Sequence, residues 1–350
     1  MDRMVEEIWE KICNPHYTFI IAEAGVNHNG CLKLARKLIE VAARAGVDAV
    51  KFQTFKAEHI AIPEAEKADY QKECTAIKES QWQMLKRLEL SPDDHKHLKS
   101  FCEEKGLIFL SSPFDEESAD YLEKLDVPCF KVPSGEITNL PFLAHLARKG
   151  RPLIVSTGMA TIGEIEQALE IMRETGNEHI CLLHCTSSYP APATDCNLRA
   201  INTLRQAFQL PVGYSDHTEG IAITLAAVAL GASVIEKHFT LDKQMPGPDH
   251  RASLEPEELS QLVQNIRLIE KALGTGRKWP TREERKIALT VRKSIVTTRD
   301  VSAGEIITSA HVALKRPGTG LPPSLLPYVI GRRARLPIPK DTLITWEMLL

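Results

Sequence analysis

Two lysines stand in short segments that combine positive charge with small hydroxyl residues and glycines. Lys51 begins the segment KFQTF, and Lys131 begins KVPSGE, where Ser134 and Gly135 follow. Ammonium groups, together with hydroxyl and backbone N–H donors, can hold a phosphate and a carboxylate in one site. Phosphoenolpyruvate carries both groups, so the lysines predict a site for a ligand of this kind. The alternative for either lysine alone is a side chain that reaches solvent and pairs with a neighbouring acid.

Two histidines, His217 in SDHT and His238 in EKHFT, predict a metal site. Two neutral imidazoles can share a divalent cation whose other positions are filled by oxygen atoms of substrate and water. Mn²⁺ suits such a shell best, with Mg²⁺ or Co²⁺ as alternatives, and Asp249 in GPDH is a candidate neighbour. Because two protein ligands are few, the other interpretation is that both histidines are hydrogen-bonded structural residues.

Glu23, in the segment AEAGVNHNG, is a candidate acid or base. Its carboxyl group could also bind a hydroxyl of an open-chain sugar if nearby lysines and a metal set its pKa. The alternative is a salt bridge at the end of a strand. The glycine-containing NHNG and SGE turns lack the dinucleotide-binding fingerprint, so the sequence predicts no NAD site.

The elements that must position these side chains alternate in the manner of a parallel α/β fold. Short apolar or β-branched runs are followed by amphipathic segments of helical period, such as Ile162–Glu174. Eight such units favour a closed (β/α)₈ TIM barrel, whose active-site residues gather at the carboxyl ends of the strands. The predicted strands are Phe19–Glu23, Ala49–Gln53, Leu107–Ser111, Phe130–Pro133, Leu153–Ser156, Ile180–His184, Pro211–Tyr214 and Ser233–Lys237.

The pattern changes after the last predicted helix, Glu257–Leu273. We predict a barrel domain over residues 1–280, a linker over 281–291, and a small β-rich domain over 292–350, where turn signals separate short alternating runs. Within the barrel, the polar segment from Thr54 to Gln81 is longer than an ordinary connection between a strand and a helix. It is typical of an active-site loop or lid.

Composition excludes several classes of protein. The net charge of −3 argues against a nucleic-acid surface, which requires an excess of Lys and Arg. The longest apolar run, Ile221–Leu230, is too short to span a bilayer, and the charged amino-terminal segment does not resemble a secretory signal. We therefore expect a cytoplasmic protein without a membrane segment. The eight cysteines form no CxxC pair and are interpreted as reduced packing residues.

The motifs along the chain resemble those of the sialic acid synthase family, in the family's order and over nearly the whole sequence. They are AEAGVNHNG, KFQTF, SSPFD, KVPSGEITNLP, STGMAT, LLHCTSSYPAP, VGYSDHT, EKHFTLDK, GPDHRASLEP and KRPGTG. The resemblance implies a TIM barrel followed by an antifreeze-protein-like (SAF) domain. It also implies condensation of phosphoenolpyruvate with an N-acetylmannosamine-type sugar, a required divalent metal, and a domain-swapped homodimer whose small domains cover the partner's barrel.

The same resemblance assigns roles to residues at the matching positions. His217 and His238 correspond to metal ligands, and Glu23 to the acid at the reacting centre. The residues that match phosphoenolpyruvate ligands are Lys51, Lys131, Ser134 and Ser156. Those that match the sugar site are Gln53, Tyr189, Asp249 beside the metal, and Arg316 of KRPG, which the partner's small domain would offer to the N-acyl group. Some family members carry Asn where this chain has Ser187 and Tyr70-Gln71.

Several alternatives stay open at this point. Within the family, the function is N-acetylneuraminate synthase or N,N'-diacetyllegionaminate synthase, which takes a 2,4-diacetamido-2,4,6-trideoxymannose. Both sugars offer an aldehyde and an N-acyl group, and the contacts that distinguish them are not visible in one sequence. More distant alternatives are an aldolase that forms a Schiff base on Lys51 or Lys131, and a non-catalytic sugar-phosphate-binding protein.

Overall fold

The computed structural model describes residues 3–75 and 79–350, which fall into two compact units. One ends at Gly274 and the other runs from Thr275 to Leu350. No helix of the described residues is long and apolar enough to cross a membrane.

The first unit is a near-closed barrel of parallel strands, as predicted. Within the described residues its eight strands are β1 (Phe19–Gly25), β2 (Ala49–Thr54), β3 (Ile108–Pro113), β4 (Phe130–Val132), β5 (Leu153–Ser156), β6 (Ile180–Cys185), β7 (Val212–Asp216) and β8 (Val234–His238). Hydrogen bonds join them in the order β3-β2-β1-β8-β7-β6-β5-β4. In this order β1 and β8, the first and last strands along the chain, are neighbours, and their register places Glu23 beside His238.

Alternation along each strand sorts side chains between the barrel interior and the surrounding helices. On β1, Ile20 and Ala22 pack with the helix layer, whereas Phe19 and Ile21 belong to a separate apolar cluster. That second cluster draws on the amino-terminal parts of the other strands and fills the lower barrel. The polar residues of the same strands come later, toward the carboxyl ends, so apolar packing supports them from below.

Helices surround the strands and connect them. They are α1 (Arg3–Cys13), α2 (Leu32–Ala45), α3 (Ala57–Ile60), α4 (Asp69–Cys74), α5 (Gln81–Leu88), α6 (Pro92–Glu104), α7 (Glu116–Lys124), α8 (Leu140–Ala147), α9 (Ile162–Glu174), α10 (Ala200–Phe208), α11 (Ala222–Ala229) and α12 (Pro256–Leu273). Helix α9 shows why they form: Thr161 and Glu164 make a reciprocal capping box, and one face buries Ile165 and Leu169.

The long connection after β2 was predicted as a lid loop from Thr54 to Gln81. The structure places short helices α3 and α4 inside it, and α5 begins at its end, at Gln81. Ser80 caps α5 by accepting a hydrogen bond from the Gln83 amide. Residues 76–78 of the predicted lid lie outside the described residues.

The second unit contains two short α-helices, an antiparallel strand pair and its own apolar core. Its elements are α13 (Arg282–Val291), β9 (Ser294–Thr297), β10 (Val312–Lys315) and α14 (Leu326–Val329). The core gathers Ile295, Val301, Ile307 and Ile344. Residues 281–291, predicted as a linker, are mostly helix α13, which starts at a capping box of Thr281 and Glu284 that the sequence analysis passed over. The division after Gly274 also comes earlier than the predicted boundary at residue 280.

Candidate active site

The carboxyl ends of the barrel strands carry a buried cluster of two lysines and two glutamates. Lys51 Nζ lies 2.9 Å from Glu23 Oε2 and 3.7 Å from Glu236 Oε2. Lys131 Nζ lies 3.3 Å from Glu236 Oε1. All four side chains are at most 5% exposed. Because Lys51 and Lys131 are buried, the alternative that their side chains reach solvent is excluded.

Neighbouring hydroxyl groups complete this lysine–glutamate cluster. Lys51 donates to Ser112 Oγ at 3.1 Å, and Ser215 donates to Glu236 Oε1 at 2.8 Å. Glu236 sits at the level of Ser215 on β7, because the register of β7 and β8 pairs these two residues. Lys51 is therefore held between Glu23 of β1 and Ser112 of β3, whereas Lys131 of β4 reaches Glu236 from across the barrel.

Burial and charge shift the proton affinities of the cluster in opposite directions. Burial raises the pKa of Glu23 to about 7, although Lys51 opposes the rise. Burial also acts to raise the pKa of Glu236, but Lys131 and Lys51 outweigh it and lower that pKa to about 2. Burial lowers the pKa of Lys131. Two carboxyl groups with separated pKa values can divide the roles of proton carrier and fixed charge.

Small residues form a second wall of the site at the ends of β4, β5 and β6. The Gly158 amide donates to Ser134 Oγ at 3.0 Å. A Cβ atom at Gly158 would lie 2.2 Å from Ser187 Oγ and 2.7 Å from Ser134 Oγ, so a larger residue here would displace both hydroxyls. Ser156, at the end of β5, is 2% exposed, and within the described part of the chain its hydroxyl has no hydrogen-bond partner. Such a hydroxyl is available to a ligand.

The two histidines predicted as metal ligands lie side by side at the carboxyl ends of the neighbouring strands β7 and β8. Their ring centroids are 5.3 Å apart, and the Tyr189 ring lies 4.0 Å from that of His217. His217 Nδ1 donates to the Thr186 carbonyl at 2.9 Å, and this bond fixes the orientation of the ring. Burial, with the nearby His217 and Lys51, holds the pKa of His238 well below its usual range, so this imidazole is neutral.

These histidines fit a metal held by few protein ligands. Among residues 3–75 and 79–350, His238 Nδ1 is a buried nitrogen without a hydrogen-bond partner. It lies 3.9 Å from Asp249 Oδ2, a separation too long for a hydrogen bond. No group of three or more His, Cys, Asp or Glu side chains in that described portion is arranged to hold a metal. A cation here would therefore need oxygen atoms from substrate or water, as the sequence analysis expected.

The residues predicted for the site from within the barrel all line one cavity of about 530 Å³. They are Glu23, Lys51, Gln53, Lys131, Ser134, Ser156, Tyr189, His217, His238 and Asp249. Arg316 is not among them: it is an exposed residue of the second unit, and its role stays a prediction. The structure thus brings the barrel residues together, while the tasks assigned to them remain to be tested.

Sequence reasoning left Glu236 without a role, although it lies between both lysines. A signal for it was present, because residues two apart on a strand face the same side. His238 was predicted to point into the site, so Glu236 had to do the same. Ser112 and Ser215 also line the cavity and were not predicted as site residues. Cys185 is a further such residue, and its Sγ lies 3.8 Å from His217 Nδ1.

Comparison with known proteins agrees with this arrangement. The model of the NeuB family matches residues 38–278, and the model of the SAF domain matches residues 292–350. The chain is 52% identical to the N,N'-diacetyllegionaminic acid synthase of Campylobacter jejuni, over 93% of this chain and 98% of that protein. It is 50% identical to the protein of the same name from Legionella pneumophila, over 94% of each chain.

Among solved structures, the N-acetylneuraminic acid (sialic acid) synthetase of Leptospira borgpetersenii, in complex with citrate, is 37% identical with a TM-score of 0.69. The match covers 77% of this chain and 90% of that one. The resemblance indicated by the strand-end motifs is confirmed, and the chain belongs to the NeuB family, with a SAF domain after its barrel.

Proposed function

We propose that this enzyme joins phosphoenolpyruvate to the open-chain aldehyde of an N-acylated amino sugar. The reaction consumes water and releases phosphate together with a nine-carbon 2-keto acid. The observation that carries this proposal is the buried cluster in which Lys51 and Lys131 face the same cavity as the paired histidines. The names of the relatives supply the class of product.

Of the two sugars left open by the sequence, the names of the relatives favour 2,4-diacetamido-2,4,6-trideoxymannose over N-acetylmannosamine. Two relatives that share half or more of their aligned residues with this chain are named for diacetyllegionaminic acid. The solved sialic acid synthetase is less similar. A 2,4-diacetamido-2,4,6-trideoxymannose is therefore the first candidate substrate, and N-acetylmannosamine is the second.

The side chains suggest how the chemistry is divided. Lys51 and Lys131, with the Ser134 and Ser156 hydroxyls, bind the carboxylate and phosphate of phosphoenolpyruvate. Its C3 then forms a bond to the aldehyde carbon with the electron pair of the C2–C3 double bond, and Glu23 gives the aldehyde oxygen the proton that makes it a hydroxyl. Glu23 takes a proton from the water that adds at C2. The adduct loses phosphate by cleavage of the C2–O bond, and the lysines stabilise the departing charge.

His217 and His238 would hold the divalent cation, most simply Mn²⁺, with Asp249 beside them. When bound, such a cation polarises a carbonyl oxygen as a Lewis acid. The protein's own contribution is to keep the His238 imidazole neutral by burial and to orient the His217 ring through its bond to the Thr186 carbonyl.

Phosphate release is the direct test. The enzyme is expected to release phosphate from phosphoenolpyruvate only when an acceptor sugar is present, with the diacetamido sugar and N-acetylmannosamine compared at equal concentrations. ¹⁸O in the bridging position of phosphoenolpyruvate should leave with phosphate. Its retention in the keto acid would contradict the cleavage step.

Metal binding has a test that does not depend on turnover. Replacing both His217 and His238 by Ala should abolish the heat of Mn²⁺ binding in calorimetry and metal-dependent turnover. The far-ultraviolet circular dichroism spectrum should stay unchanged. Undiminished Mn²⁺ binding by this double variant would show that the cation is held elsewhere.

We also propose a homodimer in which Arg316 of one protomer serves the site of the other. Arg316→Ala protein mixed with Glu23→Ala protein should then recover part of the activity, since some mixed dimers contain one intact site. Absence of recovery in verified mixed dimers would contradict shared sites.

A further inference from the structure

The NHNG turn that follows β1 has no part in the proposed chemistry, although it lies close to the site in sequence. Its first residue is Asn27, whose side chain is 2% exposed. Among the described residues that line the active-site cavity, Asn27 is absent, so its amide does not meet a ligand there. Any effect of this side chain on the site must therefore pass through the residues that it contacts.

The Asn27 amide joins the turn after β1 to two points of the connection between β8 and α12. Asn27 Nδ2 donates to the Phe239 carbonyl at 2.8 Å and to Ser253 Oγ at 2.9 Å. Because a carbonyl oxygen can only accept, the nitrogen of the amide must be the atom that faces Phe239. Ser253 Oγ then donates its own hydrogen to the Asp249 carbonyl at 2.6 Å. One amide group thus reaches both the residue that follows His238 and, through a hydroxyl, Asp249.

The backbone at His238 is fixed at three points. The His238 carbonyl accepts from the Leu254 amide at 2.8 Å, and the Phe239 amide donates to the Glu23 carbonyl at 3.0 Å. These two bonds join backbone groups, so they do not depend on side chains. The third point is the Phe239 carbonyl, which the Asn27 side chain holds. A substitution at position 27 can therefore loosen the backbone beside a predicted metal ligand while the ligand itself stays unchanged.

A second buried asparagine shows how a structural amide is bonded. Asn177, which is 4% exposed, donates to the Ala147 carbonyl at 3.2 Å and to the Arg151 carbonyl at 2.8 Å. Its Oδ1 accepts from the His179 amide at 3.1 Å. Asn27 Oδ1 is also buried, but within the described part of the chain it has no hydrogen-bond partner. Because an unpaired buried oxygen costs stability, stability alone does not explain an asparagine at position 27.

We propose that Asn27 is a positioning residue for the metal site, because it ties the backbone at His238 to the backbone at Asp249. His238 Nδ1 and Asp249 Oδ2 lie 3.9 Å apart, and no hydrogen bond between them fixes this separation. The bonds from Asn27 and Ser253 fix it from behind the cavity. Groups that orient the ligands of a metal govern its affinity. The inference rests on the proposed function, namely on a cation held by His217 and His238.

The test measures the binding of Mn²⁺ by calorimetry to the full chain after removal of bound metal. Asn27→Leu is close to asparagine in shape and removes both hydrogen bonds that the amide donates. The Kd for Mn²⁺ should rise about 10- to 100-fold, which is the usual effect of losing a group that orients a metal ligand. The Kd for phosphoenolpyruvate, measured without metal, should stay at its wild-type value, because Lys51 and Lys131 are unchanged.

Asn177→Leu is the matched control. It removes two hydrogen bonds from a buried asparagine to backbone carbonyls, and Asn177 precedes β6, at the opposite end of the strands from the site. This variant should lower the midpoint of urea denaturation at least as far as Asn27→Leu does, and it should leave the Kd for Mn²⁺ unchanged.

Ser253→Ala is a milder variant that removes only the branch to Asp249. It should raise the Kd for Mn²⁺ about fivefold, which corresponds to one hydrogen bond between uncharged groups. If Asn27→Leu does not fold, this variant decides the question, because an unchanged Kd for Mn²⁺ in Ser253→Ala would then overturn the inference.

The remaining outcomes separate the inference from the proposed function. Wild-type affinity for Mn²⁺ in folded Asn27→Leu would overturn the positioning role and leave the proposed function standing. An equal loss of affinity in Asn177→Leu would also overturn it, since the loss would then follow from general destabilisation. Undiminished Mn²⁺ binding by the double variant of His217 and His238 would refute the proposed cation site with Asn27 intact, and the inference would fail with it.

Discussion

Two buried charge clusters occupy opposite faces of the same strands, β7 and β8. Ser215 and Glu236 point into the barrel, where Glu236 lies near both Lys51 and Lys131. The next residues, Asp216 and Lys237, point outward, and Lys237 Nζ lies 2.9 Å from Asp216 Oδ2. Register pairs Ser215 with Glu236 and Asp216 with Lys237. A shift of one residue along β7 or β8 therefore separates the ion cluster inside the barrel from the ion pair on its outer face.

The clusters are similar in burial and charge but differ in how completely they are bonded. Asp216 accepts hydrogen bonds from the Thr218 amide, from Thr224 on α11 and from Lys237, so both carboxylate oxygens are used. In the inner cluster, as far as the structure describes the chain, Glu236 Oε2 has no hydrogen-bond partner. The inner cluster also opens to the cavity. Incomplete bonding together with access, rather than burial or charge, distinguishes a site from a structural ion pair.

The largest expected effect tests the inner cluster. Lys131→Met removes one of two cations that face the cavity, and kcat/KM should fall about 1,000-fold, as when a donor to developing negative charge is lost. Phosphoenolpyruvate at 100 times its Kd should stabilise the wild-type enzyme by about 2.7 kcal/mol and the variant much less. Phosphate-release kinetics and urea denaturation measure these effects. Retained protection by phosphoenolpyruvate would remove Lys131 from the ligand site.

Lys237→Met makes the same substitution on the outer face. It leaves the Asp216 carboxylate buried without its cation, which costs about 3 kcal/mol of unfolding free energy, the lower end for broken buried pairs because Thr218 and Thr224 still donate. Among correctly folded molecules, kcat/KM should stay within about twofold of wild type, because the Lys237 side chain points away from the cavity that binds the ligand. Urea denaturation and active-site titration provide the two measurements. A large fall in kcat/KM with unchanged stability would reverse the interpretation of the two faces.

Much of this comparison was accessible from sequence, and part of it was not. Apolar and β-branched runs predicted the eight strands, because parallel strands that are buried on both faces read as continuous apolar runs. The side of each residue was not fixed by the pattern alone, since Glu236 and Lys237 are both charged. Only the pairing of β8 with β1 and β7 shows that Glu236 meets the lysines and Lys237 meets Asp216.

Elements outside the barrel show a second reason for the misses. Helix α3 has only four residues, too few for a helical period to emerge, whereas α13 has ten residues but none of them is buried, so it shows no apolar face. The local signal for α13 was its capping box. The apolar cluster beside the cavity was not predicted, because members such as Phe55 and Leu85 lie 30 positions apart in sequence and meet only through the fold.

A smaller change on the outer face is Thr224→Val. This substitution preserves shape and β-branching and removes only the hydroxyl that donates to Asp216. A lost hydrogen bond to a charged acceptor should reduce the free energy of unfolding by about 1.5 kcal/mol. The midpoint of urea denaturation should fall, while the Kd for phosphoenolpyruvate stays unchanged. A weakened Kd would mean that the outer cluster shapes the site.

The smallest effect on stability is expected from Ser156→Ala, the matching change inside the barrel. Because the Ser156 hydroxyl has no partner among the described residues, its removal should alter the free energy of unfolding by at most about 0.5 kcal/mol. The same variant should bind phosphoenolpyruvate about 10-fold more weakly, which is the value of one hydrogen bond to a charged ligand. Urea denaturation and calorimetric titration give the two numbers. If Ser156→Ala instead lost stability and kept affinity, the hydroxyl would have a structural partner, and incomplete bonding would cease to mark this cavity as a ligand site.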